Sequence, residues 1–302
     1  MTLILRMKNT INNPSAPKLI RVDPVENRAG SLFLWDAGRT QLSSVPAIDA
    51  SLPNLLTEYP LASDKLFTFI KGSTSQAEHD SYLKRELTAK GGIHWIASQS
   101  RATDLLSGTT FFGIKANTAL KTYLANKIMG SNPAIFISIW TNTTRYVTKT
   151  AGYAPMLAYV NGGTSNVAST LLTDKRSIEI AGAITNKKTL SKLNLTQREP
   201  AIQNTPNYYQ AVIDSYLGVG ITTSNDLIIG NGQIPPWGGS TSQALNSSPS
   251  YILYRVYIED LSLSGRTFDQ VRAIDEAEHA KAFSVGGRFH GDTWSNPATL
   301  LP

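Results

Sequence analysis

The chain has 302 residues, enough for one large all-β domain or two ordinary ones; only 17% are charged, and abundant Gly, Ser, Thr and Asn favour strands and turns over helical bundles. Cysteine is absent, which excludes a disulfide scaffold and a Cys-ligated metal site. A net charge of +6 and a pI near 9.4 describe a mildly basic surface, but no run of five basic residues marks a nucleic-acid site.

In chain order, Met1-Thr-Leu-Ile-Leu-Arg-Met-Lys8 has too short an apolar stretch, charged too early, for a signal peptide, and nothing later reaches the length of a membrane span. A soluble product made in a cytoplasm is expected, released by lysis if at all. Residues 1–30, with Asn12-Asn-Pro, Ala16-Pro and Asp23-Pro, read as an extended arm with a short strand at 19–22. Residues 31–36 form a buried-strand candidate, 42–60 with three prolines a surface loop, and 65–71 an alternating strand. Residues 75–89, loosely striped by Ala77, Tyr82, Leu83 and Leu87, look helical before the Gly91-Gly92 stop. Strands resume at 93–97 and 110–116. A second helix is expected over 117–129, capped by Asn117, with Leu120, Tyr123, Leu124 and Ile128 on one face and Gly130 at its end.

Residues 134–140 are the most hydrophobic strand. Further strands at 156–161, 177–181, 211–221, 226–229 and 251–263, separated by polar, Gly-rich and Pro-rich turns, carry the signature of a sandwich or barrel. In the last of them, period 2 puts Ile252, Tyr254, Val256 and Ile258 on one face, with Tyr251, Leu253, Arg255, Tyr257 and Glu259 on the other. Arg255 and Glu259 keep that second face from full burial unless they are paired. Thr267 and Gln270 have capping-box spacing, so a helix starts at Phe268 with Phe268, Val271 and Ile274 as its apolar stripe. Beyond Ala277 the stripe is lost, so the distal half is expected to be solvated or to need a partner, before a left-handed stop at Gly286 and Gly287.

The strand Tyr254-Arg-Val-x-Ile258, a polar turn and Thr267-x-x-Gln-Val-x-x-Ile274 together resemble the closing segment of laminin-G-like, concanavalin-like jelly rolls. Gly286-Gly-Arg-Phe-His-Gly-Asp-Thr-Trp294 looks like the ending of such modules in tailed-bacteriophage tail and baseplate proteins. The resemblance covers the last sixth of the chain. It implies a mainly β protein: an antiparallel jelly-roll β-sandwich over 31–283 with two or three short helices, an arm at 1–30 and a tail at 284–302. It further implies a non-enzymatic structural protein of a virion, in the tail, baseplate or fibre-attachment region, touching other virion proteins and copies of itself. No specific nucleic acid, membrane insertion or cofactor is implied.

Catalytic motifs are sparse. His79, His94, His279 and His290 lack metal-ligand spacing, no Asp-x-Asp-x-Asp calcium loop occurs, and no Gly-x-Ser-x-Gly elbow occurs. Gly230-Asn-Gly232 is followed by Pro235, so it is a loop and not a dinucleotide fingerprint. Glu259 and Asp260 are adjacent and face opposite sides, so one strand cannot supply a glycosidase pair, although carboxylates from separate strands could still meet. Surface aromatics are the remaining candidates: Trp237 in Gly232-Gln-Ile-Pro-Pro-Trp-Gly-Gly239, Tyr208 and Tyr209 beside a turn, and Trp294 in the tail. Such rings either stack on sugars and anchor partners or pack back on their own sandwich. A lectin-like glycan-binding module for host surface recognition is therefore the alternative function, and a capsid decoration protein a third.

Overall fold

The computed structural model describes residues 23–56, 61, 66–72, 80–100, 110–130, 134–148, 155–161, 167–172, 203–213, 225–232 and 248–302. Two six-stranded antiparallel sheets pack as a β-sandwich with a few short helices. In the first sheet, β10 (Pro206–Ile213), β7 (Ile135–Arg145), β12 (Ser250–Asp260), β5 (Ile93–Ala97) and β4 (Leu83–Leu87) lie side by side. β1 (Ser31–Asp36) pairs with the second half of β12. The second sheet runs β2 (Ser51–Leu52), β3 (Phe67–Gly72), β6 (Phe111–Ala116), β11 (Asn225–Gly232), β8 (Pro155–Asn161) and β9 (Val167–Leu172). Helical pieces are α1 (Ala37–Thr40), α2 (Thr118–Met129), α3 (Leu261–Ser264), α4 (Phe268–Phe283) and α5 (Pro297–Leu300). The expected strands at 19–22 and 177–181 lie outside the described residues.

Local chemistry sets several boundaries. Asn117 Oδ1 accepts from Leu120 N at 2.9 Å and starts α2. Thr267 and Gln270 form the full capping box that starts α4. β12 ends at Asp260, not 263, because Asp260 Oδ1 takes the amides of Ser262 and Leu263 and turns the chain into α3. β10 begins at Pro206, five residues before the expected strand, since its ladder with β7 extends to Asn142.

Two expectations are overturned. Within 75–89, Leu83–Leu87 is a strand: the weak helical stripe yields to pairing with β5 across a turn in which Thr88 N donates to Gly92 O and Gly91 has φ +85°. The alternation of β12 also breaks. A register shift against β7 between Leu253 and Arg255 inserts one extra residue, a β-bulge. Before it, Tyr251 points inward and its hydroxyl donates to Gly230 O of the second sheet. After it, Val256 and Ile258 are inward, opposite Trp35 and Phe33, whose ring meets Phe67. Tyr254 and Arg255 both end on the outer face, toward Phe283 and Asp275 respectively.

That outer face is covered by α4 and the tail, and Arg255 beneath them is fully buried. Its guanidinium meets Asp23 at 2.6 and 3.0 Å, Asp36 at 3.1 Å and Asp275 at 3.8 Å. Arg288 closes the cluster on Asp36 at 2.6 Å, Arg39 reaches Asp23 at 3.1 Å, and both Arg255 and Arg288 lie over the Trp140 ring. Asp275 additionally accepts from Ser138, Trp140 Nε1 and Gln210. Burial disfavours charge on Asp23, but Arg255 outweighs it and holds the carboxyl at about 2; burial likewise opposes charge on Arg255, and the carboxylates raise it. The distal half of α4 is buried as well: His279 and Phe283 pack on Trp140, and Phe283 on Tyr254 and Phe289, so aromatic and imidazole rings continue the stripe that aliphatic residues drop.

Arg255→Met is expected to lower unfolding free energy by about 3–5 kcal/mol, because it strands buried carboxylates; urea denaturation measures this, and a loss under about 1 kcal/mol would contradict it. His279 yields a pH dependence. Burial pushes its ring down to about 4. The unfolded chain therefore takes the proton first, and stability present above about 6.5 is lost as pH falls toward 4. His279→Phe is expected to flatten that slope by on the order of 2–3 kcal/mol between pH 7 and 4.5; an unchanged slope would contradict the assignment.

Candidate functional site

β4 is an edge strand, and its alternation directs Arg85, opposite Trp95, into the mouth between the sheets, while Glu86 points outward to His94. The mouth is an open cleft of about 550 Å³. Ile48, Leu83, Ile96, Phe112 and Leu300 supply its apolar lining, and Lys71, Asp80, Lys84, Arg85 and Glu86 the charged part. Lys71 and Phe112 are cross-strand partners on β3 and β6, so the second sheet forms the wall facing Arg85.

The Arg85 guanidinium lies 4.8 Å from the Phe112 ring centre and 5.7 Å from that of Phe69. Its Nη1 is buried without a hydrogen-bond partner, and burial alone lowers its proton affinity. Two neighbouring charges, Lys84 and Glu86, are occupied. Lys84 Nζ donates to Leu300 O at 3.0 Å, which fixes α5 as one rim. Glu86 Oε1 accepts from Ser295 N at 2.8 Å and meets His94 Nδ1 at 2.8 Å, while His94 Nε2 meets Thr144 Oγ1 at 2.8 Å. Burial would raise Glu86, yet the His94 and Ser295 contacts hold it below the usual carboxylate range; burial lowers His94 against the pull of Glu86. The chain's last residues complete the frame, with Ser98 Oγ and Gln99 N donating to Pro302 O at 2.6 and 3.0 Å.

Glu259 and Asp260 face opposite sides, and each is engaged. Glu259 holds Arg266 at 2.5 Å and Tyr257 at 2.8 Å; Asp260 holds Tyr123 at 2.7 Å and Lys127 at 2.9 Å. Among the described residues no group of three or more His, Asp or Glu side chains could hold a metal ion.

The aromatic candidates fall elsewhere. Tyr209 is 5% exposed and belongs to the core. Tyr208, its neighbour on β10, packs edge-on against His279 with ring centres 4.9 Å apart. Trp294 is half-buried against the core, and Trp237 lies outside the described residues. None of the three described rings lines the cleft. Arg85 escaped sequence reasoning because a lone arginine in a segment read as helix carries no motif; the alternation of Leu83, Arg85 and Leu87 was the available signal.

No protein-family model and no curated protein matches the chain. Among solved structures, the CBM22-1 xylan-binding domain of Paenibacillus barcinonensis Xyn10C is similar over 78% of this chain and 97% of its own, with 9% identity and a TM-score of 0.32. The K1 cleaved adhesin domain of Lys-gingipain from Porphyromonas gingivalis W83 is similar over 76% of this chain and 98% of its own, with 10% identity and a TM-score of 0.31. Likenesses this weak carry no argument about function.

Proposed function

We propose that this protein is a non-catalytic glycan-binding β-sandwich whose sugar site is the cleft between β4 and the β3–β6 wall. The observation that carries the reading is the lining: an open cavity of about 550 Å³ with apolar and charged side chains in equal number. Its size falls within the roughly 300–1,000 Å³ usual for small-ligand sites. A sugar ring is amphipathic in the same way, with a C–H face suited to Leu83, Ile48 and Phe112 and hydroxyls suited to the charged rim. Binding without hydrolysis accords with Glu259 and Asp260, which are turned apart and bound to cations and hydroxyls. The virion role implied by the C-terminal segment draws on that resemblance alone, and a glycan-binding cleft would suit a particle surface as well as a free protein.

Screening the protein on a glycan array tests this. At least one oligosaccharide is expected to bind, to be lost on Ile48→Trp, which fills the cleft, and to be retained on Trp237→Ala. A flat array, or binding lost on Trp237→Ala and kept on Ile48→Trp, would contradict the cleft assignment.

A further inference from the structure

Resting on the glycan reading, we infer that the ligand is an acidic glycan, and that the carboxylate of a uronic-acid residue sits on the guanidinium of Arg85. The cleft carries three cations, Lys71, Lys84 and Arg85, against two carboxylates, Asp80 and Glu86. Lys84 is tied to Leu300 O, Glu86 to His94 and Ser295, and Asp80 is also engaged. None of the three cations makes an ion pair among the described residues, and Lys71 and Arg85 lack even the carbonyl contact that Lys84 has.

An unpaired cation half-removed from water is costly, and Arg85 contrasts with Arg255, which meets three carboxylates. A site with an unpartnered guanidinium N–H and an excess of positive charge is complementary to an anion that only accepts hydrogen bonds. The planar fork of a guanidinium resting on aromatic rings matches a carboxylate, which can accept two parallel N–H bonds. Leu83 and Ile48 leave apolar wall for the ring that bears it.

Calorimetric titration with oligosaccharides of galacturonan, alginate and glucuronoxylan, each beside its carboxyl-reduced neutral counterpart and with a sulfated galactan as control, tests the inference. An acidic oligosaccharide is expected to bind about tenfold or more tightly than its reduced form, and Arg85→Met to erase the difference. Arg85→Met keeps the stem on Phe112 and removes the unpaired charge, so its Tm is expected to equal or exceed that of the parent. Arg85→Lys keeps the charge without the fork and is expected to retain part of the preference, which distinguishes ligand loss from misfolding. Equal binding of acidic and reduced forms would overturn the inference and leave the glycan reading standing. A preference for sulfate over every uronate would overturn the carboxylate assignment, and no binding by any oligosaccharide would overturn both readings.

Discussion

The fold turns on a buried guanidinium. Arg255 sits on the central strand of the first sheet with no access to water, and its partners come from segments distant in sequence: Asp23 before β1, Asp36 at the end of β1 and Asp275 on α4. Arg288 on Asp36 adds the tail. Desolvating these ions costs several kcal/mol each, so the cluster is not read as a large net stabiliser. Its effect is specificity: only one placement of the 23–30 segment, α4 and the tail leaves all the charges matched. Gly287 serves the same placement, since a Cβ there would collide with the Lys281 and Ala282 carbonyls at the end of α4.

Two arginines of this sheet, Arg255 on its outer face and Arg85 at its inner edge, illustrate how environment separates structure from binding. Arg255 and its aspartates form a closed set with nothing left for a ligand, apart from the loosely matched Nε and the Asp275 Oδ1 that face one another at 3.8 Å. Arg85 lies at the sheet edge, beside an opening, with aromatic faces instead of carboxylates beneath it. The first holds strands and helix together; the second presents a charge to whatever enters the cleft. Because α5 and Ser295 bond to Lys84 and Glu86, the tail organised by Arg288 also shapes the cleft rim, which links the buried cluster to the candidate site.

Elements governed by local chemistry were legible in the sequence. The capping box at Thr267, the cap at Asn117, the hydrophobic β7 and the antiparallel sandwich all follow from patterns spanning a few residues. The condition placed on Arg255 and Glu259, that burial requires partners, is met by Asp23, Asp36 and Asp275 and by Arg266. What was illegible depends on distance or register. The bulge after Leu253 turns Tyr254 and Arg255 to one side, and no alternation within β12 signals it. Pairing with β5 makes 83–87 a strand, and without that pairing Arg85 has no direction. His279 and Phe283 extend the buried face of α4 only because Trp140 and Tyr254 lie beneath them.

In the proposed binding mode the sheet-edge guanidinium receives ligand while the central one is closed to it. Nuclear magnetic resonance of the arginine Nε–Hε groups during titration with an oligogalacturonate measures both in one experiment. The Arg85 resonance is expected to move with saturation while that of Arg255 stays fixed; a stationary Arg85 resonance, with or without a shift at Arg255, would contradict the assignment.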